Sequence, residues 1–202
     1  MSREVVIFGA GGHARSAADV LLSEDSAANL IFVDDNAQEG EQIFGFNVVK
    51  SLEPSEQREY FVAIGDNHKR REIRAKLGSV SVINIVSPLA QIRREVQLGD
   101  GNFVGHQAYI GPLAMIGSGV IINTRAVLEH EVTVGSDSHI APTATVGGRA
   151  HIGERVFVGQ GSRIIDGLDI HPDVIIGAGA TVIDDINEPG TYVGTPAKRI
   201  NG

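Results

Sequence analysis

Two acids flank a histidine in AVLEHEVTVGSDSH, residues 126–139: His130 lies between Glu129 and Glu131, and His139 follows nine positions later. Imidazole titrates near neutrality and can take a proton from an attacking nucleophile. A carboxylate against its second ring nitrogen fixes the tautomer and raises its basicity. A second pattern stands near the start of the chain. Gly9, Gly11 and Ala14 of GAGGHA satisfy the spacing of a glycine-rich phosphate turn, and Asp34 and Asp35 follow roughly 20 residues on. Each pattern has a bland counterpart: a solvated histidine between solubilising acids, and an ordinary tight strand-to-helix turn. The backbone beneath them decides.

Residues 1–84 read as alternating strand and helix. EVVIF, NLIFVDD and YFVAIGDN are buried strands, IFGFNVV is a short extra one, and VSVINIV completes the set. ARSAADVLL has helical spacing of its apolar residues, and HKRREIRAKLG is a charged helix closing at Gly78. This is half of a doubly wound α/β unit without a second nucleotide-binding half, which argues against NAD. The turn at GAGGHA still offers bare amides to a ligand at a helix N-terminus.

From residue 85 to 202 the period changes. Steps of six from Val86 through Ile92, Leu98, Val104, Ile110 and onward to Val182 meet only Val, Ile or Leu. Four residues after most of them stands Ala, Ser or Val, and Gly commonly follows directly. A six-residue period is that of a hexapeptide parallel β-helix, in which three short strands close one coil of a triangular prism. On that frame Leu128 points inward, Glu129 faces out, and His130 and Glu131 fall at a corner. His139 precedes an inward Ile140 and belongs on an outer face, with no burial required.

The composition narrows the function classes. A formal net charge of −8 without a basic run argues against nucleic acid, and the absence of cysteine removes thiolate chemistry and disulfides. No apolar stretch is long enough for a membrane span, and the first residues begin a strand at once, so a soluble cytoplasmic protein is expected.

GAGGHA, VDD, AIGDN, NTRAVLEHE and VGTPAK together resemble the hexapeptide acyltransferases of the sialic acid O-acetyltransferase and nucleotide-sugar N-acetyltransferase group, which includes the bacillosamine and perosamine enzymes. The resemblance implies an N-terminal half-Rossmann domain holding a nucleotide-linked sugar, then a left-handed β-helix. It also implies a homotrimer with acetyl-CoA between neighbouring subunits. It assigns His130 as general base and Glu131 as its orienting partner. Gly11, Gly12, His13, Asp34, Asp35, Gly65 and Asn67 go to the sugar nucleotide, and His139, Gln160 and Ala178 to acetyl-CoA. Lys198 and Arg199 lie toward the cofactor phosphates, and an amide near Gly147–Gly148 suits a tetrahedral oxyanion.

The expected activity is acetyl transfer to the 4-amino group of a nucleotide-linked 4-amino-4,6-dideoxy sugar, with O-acetylation of sialic acid or its CMP form as the alternative. Two other classes compete: a zinc lyase built on interfacial histidines, and a non-catalytic sugar-nucleotide binder. His68, His106, His151 and His171 read as surface residues, so no metal site is expected.

Overall fold

The apolar run of β1 (Glu4–Phe8) lies at the centre of a sheet, with Val5, Val6 and Ile7 fully buried. α1 (Gly12–Glu24) leads to β2 (Asn29–Val33). A hairpin of β3 (Gln42–Ile43) and β4 (Phe46–Val49) follows, then β5 (Glu59–Val62), α2 (Asn67–Lys76) and β6 (Ser81–Val82). The computed structural model describes residues 3–78 and 80–200. Strand order is β3-β4-β2-β1-β5-β6, parallel except for β3. The chain runs outward from β1 to β2 and β4, then returns to β5 on the other side of β1. That reversal opens a crevice beyond the carboxyl ends of β1 and β5, where α/β sheets bind ligands.

Ile85–Val86 is the first strand of the prism. Residues 18 apart pair in parallel register, as in Phe103↔Ile121, Ile121↔His139 and His139↔Phe157. Three sheets result: a first face through Ile85–Val86, Phe103–Val104, Ile121–Ile122 and His139–Ile140, a second through Val127–Leu128, and a third through Thr133–Val134. The six-step aliphatics from Val104 to Val182 stack with the small residues, among them Ala108, Ala126 and Ala144, as one continuous core. The first coil departs from this pattern. Ile92 is exposed and Val86 and Leu98 are only partly buried, because an end coil has a neighbour on one side alone.

The far end of the prism closes with a change of register. Gly190–Val193 continues the first face in parallel register with Val174–Ile176, and the chain reverses only afterwards, with Lys198–Ile200 returning antiparallel.

The N-terminal domain sits on the first face. Ile85, Phe103 and Ile121, all outward-facing, share one core with Val5, Ile7, Ala14, Ala17 and Phe61. This cover ends along the prism axis: Ile85, Phe103 and Ile121 are buried, Phe157 partly so, and Ile175 is exposed.

Candidate functional site

The glycine turn is held from both sides. Gly9 has φ +110°, and a Cβ there would come within 2.9 Å of the Ala63 carbonyl, so only glycine lets β1 leave the sheet beside β5. Asp34 closes the other side: Oδ2 accepts from Ala10 N at 3.0 Å and Oδ1 from Asn36 N at 3.0 Å. Those bonds, that to Asn36 foremost, hold its carboxyl below the usual range. Asp34 therefore shapes the turn, whereas Asp35 beside it is exposed. A Cβ on Gly11, Gly12 or Gly65 would meet nothing within 4 Å, so the chain's own packing does not explain these glycines. Gly11 caps α1 without a side-chain hydrogen bond, leaving first-turn amides open to the crevice.

His13 and His139 meet below this turn. The His13 ring stands edge-on to Phe103 at 4.9 Å, and His139 edge-on to Phe157 at 5.1 Å. Asn123 Nδ2 lies 3.2 Å from His139 Nε2. Burial lowers the His13 pKa to about 3 and that of His139 to about 4, so both rings are neutral near pH 7. His13 Nε2 and His139 Nδ1 are buried without hydrogen-bond partners, the state of groups awaiting a ligand or water. Sequence placed His139 on an open outer face. It does point outward, but the N-terminal domain covers that face.

Asn67 lies at the joint between the domains. Its Nδ2 donates to the Arg155 and Val156 carbonyls at 2.9 and 3.2 Å, and its Oδ1 accepts from Arg70 at 2.8 Å. The side chain thus ties the two domains together. α2 runs along the prism edge that carries Gly119, Asp137, Arg155 and Asp173, one per coil. Arg70 and Arg74 engage the first two of these, Asn67 the third and His68 the fourth. A helical turn of about 5.4 Å nearly matches a strand spacing of about 4.8 Å, so the two ladders stay in step.

His106, read as a surface residue, joins the domains as well: Ser87 Oγ is 2.6 Å from Nδ1, and Asp19 Oδ2 is 3.2 Å from Nε2. The serine is buried and cannot be presented to a substrate. His68, His151 and His171 are exposed as expected.

His130 stands at the edge between the second and third faces, the vertex opposite the covered face. Glu131 adopts φ +60°, and its N–H donates to the Pro112 carbonyl one coil back at 2.9 Å. Extended neighbours would point to opposite sides; this left-handed step turns Glu131 alongside His130, with Oε2 2.9 Å from Nδ1. The ring lies flat on the next coil, where a Cβ on Gly148 would fall 2.6 Å from Nε2. Gly147 N–H is used by the Ile164 carbonyl, whereas Gly148 N–H has no partner among the described residues. Of that pair, only Gly148 has a free amide.

Gln160 and Ala178 are exposed and one coil apart at the edge between the first and second faces. The structure thus places Gly11, Gly12, Asp34, Asp35 and Gly65 beyond the carboxyl ends of β1, β2 and β5, with His13 and His139 packed close by. It sets His130 with Glu131 on another edge and Gln160 with Ala178 on a third location. Arg199 pairs with Glu188 at 2.8 Å, and both it and Lys198 stay exposed. Among the described residues no three side chains converge to hold a metal ion. Sequence reading missed Arg70. For Arg70 the signal was present: Asn67, Arg70 and Arg74 share one face of α2, and the residues that α2 buries are polar.

Two family models match the chain. Residues 4–77 match the PglD N-terminal domain, and residues 149–184 match the bacterial transferase hexapeptide (six repeats). The acetyltransferase domain of PglB from Neisseria gonorrhoeae is 31% identical, with a TM-score of 0.92 over 98% of this chain and 100% of that one. The chain belongs to this acetyltransferase family. PerB from Caulobacter crescentus, solved with CoA and GDP-perosamine, is 32% identical with a TM-score of 0.87, over 98% of this chain and 97% of that one. With these likenesses the prism of this acetyltransferase is a left-handed parallel β-helix. An uncharacterized protein, L142, of Acanthamoeba polyphaga mimivirus is 36% identical over 113 residues; the match spans 23% of that protein's length. No described helix is long and apolar enough to cross a membrane.

Proposed function

We propose that the chain transfers the acetyl group of acetyl-CoA to the 4-amino group of a nucleotide-linked 4-amino-4,6-dideoxy sugar, as a cytoplasmic homotrimer. His130 takes the proton as the amine attacks the thioester carbonyl. The C–N bond forms, the C–S bond breaks, and the proton passes to the departing CoA thiolate. Glu131 at Nδ1 keeps Nε2 as the basic nitrogen, and the free Gly148 amide faces the developing oxyanion. The crevice at Gly11, Gly12, Asp35 and Gly65 takes the sugar nucleotide.

The observation that carries this reading is the His130 ring, seated on Gly148 and held by Glu131, in a chain 31–32% identical to solved acetyltransferases, one bound to CoA and GDP-perosamine. Burial leaves His13 and His139 neutral hydrogen-bonding groups rather than bases. Placement supports an assembly of copies. His130 lies across the prism from the crevice, so an acceptor in one chain's crevice meets the His130 of a neighbour, as a closed ring of copies permits.

Free thiol release from acetyl-CoA tests the proposal against UDP- and GDP-linked 4-amino-4,6-dideoxy sugars, CMP-sialic acid and free sialic acid. Fast release with one amino-sugar nucleotide is the expected result. Release with the sialic acids alone would overturn the acceptor, and no release with any of them would overturn the activity.

A further inference from the structure

The least exposed charged side chain in the described chain is Arg70, with relative exposure of 1%. Helices that pack on a partner usually do so through an apolar stripe, yet the residues α2 buries are Asn67 and Arg70. Among the described residues no carboxylate oxygen hydrogen-bonds the Arg70 guanidinium. It is surrounded instead by oxygens from three separate pieces of chain. Nη1 donates to the carbonyls of Ile64 and Gly65 at 2.9 and 3.3 Å, in the turn after β5. Nε donates to Gly119 O at 2.8 Å, and Nη2 to Asp137 O at 2.6 Å and Ser138 O at 3.2 Å, all on the prism. The Asn67 amide oxygen completes the set. Only a planar fork with five N–H groups reaches so many acceptors at once.

Those acceptors are not scattered. Ile64 and Gly65 form the wall of the proposed acceptor crevice, and Ser138 immediately precedes His139. The Gly65 carbonyl also lies beside the His139 ring, close enough to favour its protonated form, although Nδ1 makes no formed hydrogen bond. One cation therefore grips the crevice wall with two donors and the strand leading into His139 with others.

We propose that Arg70 is the positioning residue of the acceptor crevice: it clamps the Ile64–Gly65 turn to the prism edge and so fixes Gly65 and His139 against each other. The inference rests on the reading of that crevice as the acceptor site. Burial lowers the Arg70 pKa to about 10, which leaves the clamp charged at neutral pH. Acetyl-CoA's edge, at Gln160 and Ala178, has no contact with Arg70, so the two substrates respond differently to its loss.

The test compares wild type with Arg70→Met and Arg70→Lys, assayed well below each variant's melting temperature. In Arg70→Met the KM for the amino-sugar nucleotide that wild type uses rises tenfold or more, while the KM for acetyl-CoA moves less than threefold. Arg70→Lys recovers part of the loss. Side-chain 15N shifts of His139, assigned with His139→Asn, change in Arg70→Met without any substrate. A purely structural role would lower the melting temperature while leaving the acceptor KM within twofold and the His139 shifts in place; that result overturns the proposal. If wild type turns over no amino-sugar nucleotide, the functional reading fails. The His139 shifts then decide the clamp by themselves: movement sustains it and constancy overturns it.

Discussion

Under the N-terminal domain, His13 and His139 are packed among Phe61, Phe103 and Phe157 and carry depressed pKa values. At the opposite vertex His130 keeps 44% of its side chain exposed and rests on a neighbouring coil with a single carboxylate beside it. Two regions of one prism thus treat the same residue type in opposite ways. The covered face packs within the chain, and its histidines belong to the joint between the domains, with His13 Nε2 and His139 Nδ1 left without partners. The bare edge carries His130, Glu131 and the unpartnered Gly148 amide together, the groups proposed as base, orienting acid and oxyanion donor. Burial makes a histidine a fixed neutral contact, whereas exposure at a rigid corner leaves one open to a substrate.

Substitutions should separate the two regions. The largest effect belongs to the bare edge: His130→Ala lowers kcat by about 10³-fold, with the melting temperature within a few degrees of wild type because the ring closes no buried contact. Steady-state kinetics beside a thermal melt checks both halves of that statement. Gly148→Ala comes next. Its added Cβ would fall 2.6 Å from the ring, so His130 must move, and kcat drops about 10²-fold for a misplacement on the order of 1 Å. Glu131→Gln keeps the shape but removes the charge, and kcat falls roughly tenfold.

The covered face answers in stability instead. Its two histidines have folded pKa values below the usual 6.5, so the unfolded chain binds more protons once the pH falls below that value. Their neutral forms thus give full stability above about pH 6.5, and stability declines as pH drops toward the folded values. The decline is at most about 1.4 kcal/mol per pH unit for each ring. Urea unfolding between about pH 6.5 and 5, above the carboxylate range, would show it, and His139→Asn should flatten the slope. A slope unchanged by that substitution would mean that His139 is not buried neutral.

The two regions also differed in how far sequence reached them. Six-residue periodicity is a one-dimensional signal, so the prism, its inward columns and the corner at His130–Glu131 could be read directly. The flat contact with Gly148 could also have been found, since the two lie 18 residues apart, one coil. The covered face was harder, because its fate depends on a second domain landing on it. Nothing in VGSDSHIA says that His139 will be roofed over. Likewise HKRREIRAK reads as a solvated helix until its Asn67–Arg70–Arg74 face meets the carbonyls of the prism edge. The frayed first coil escaped for a similar reason: Val86, Ile92 and Leu98 satisfy the repeat but lack a coil beneath them.

The claim that the bare edge is completed by another copy's crevice is tested most directly by complementation. His130→Ala leaves the crevice intact, and Gly12→Leu blocks the crevice while leaving His130 intact. Each variant alone should be nearly inactive in amino-sugar acetylation. Unfolded and refolded together, they should recover up to roughly a quarter of wild-type activity, because a working site needs the crevice of one kind and the histidine of the other. If the mixture stays as inactive as its parts while forming the same oligomer, the site lies within one chain and the account is wrong.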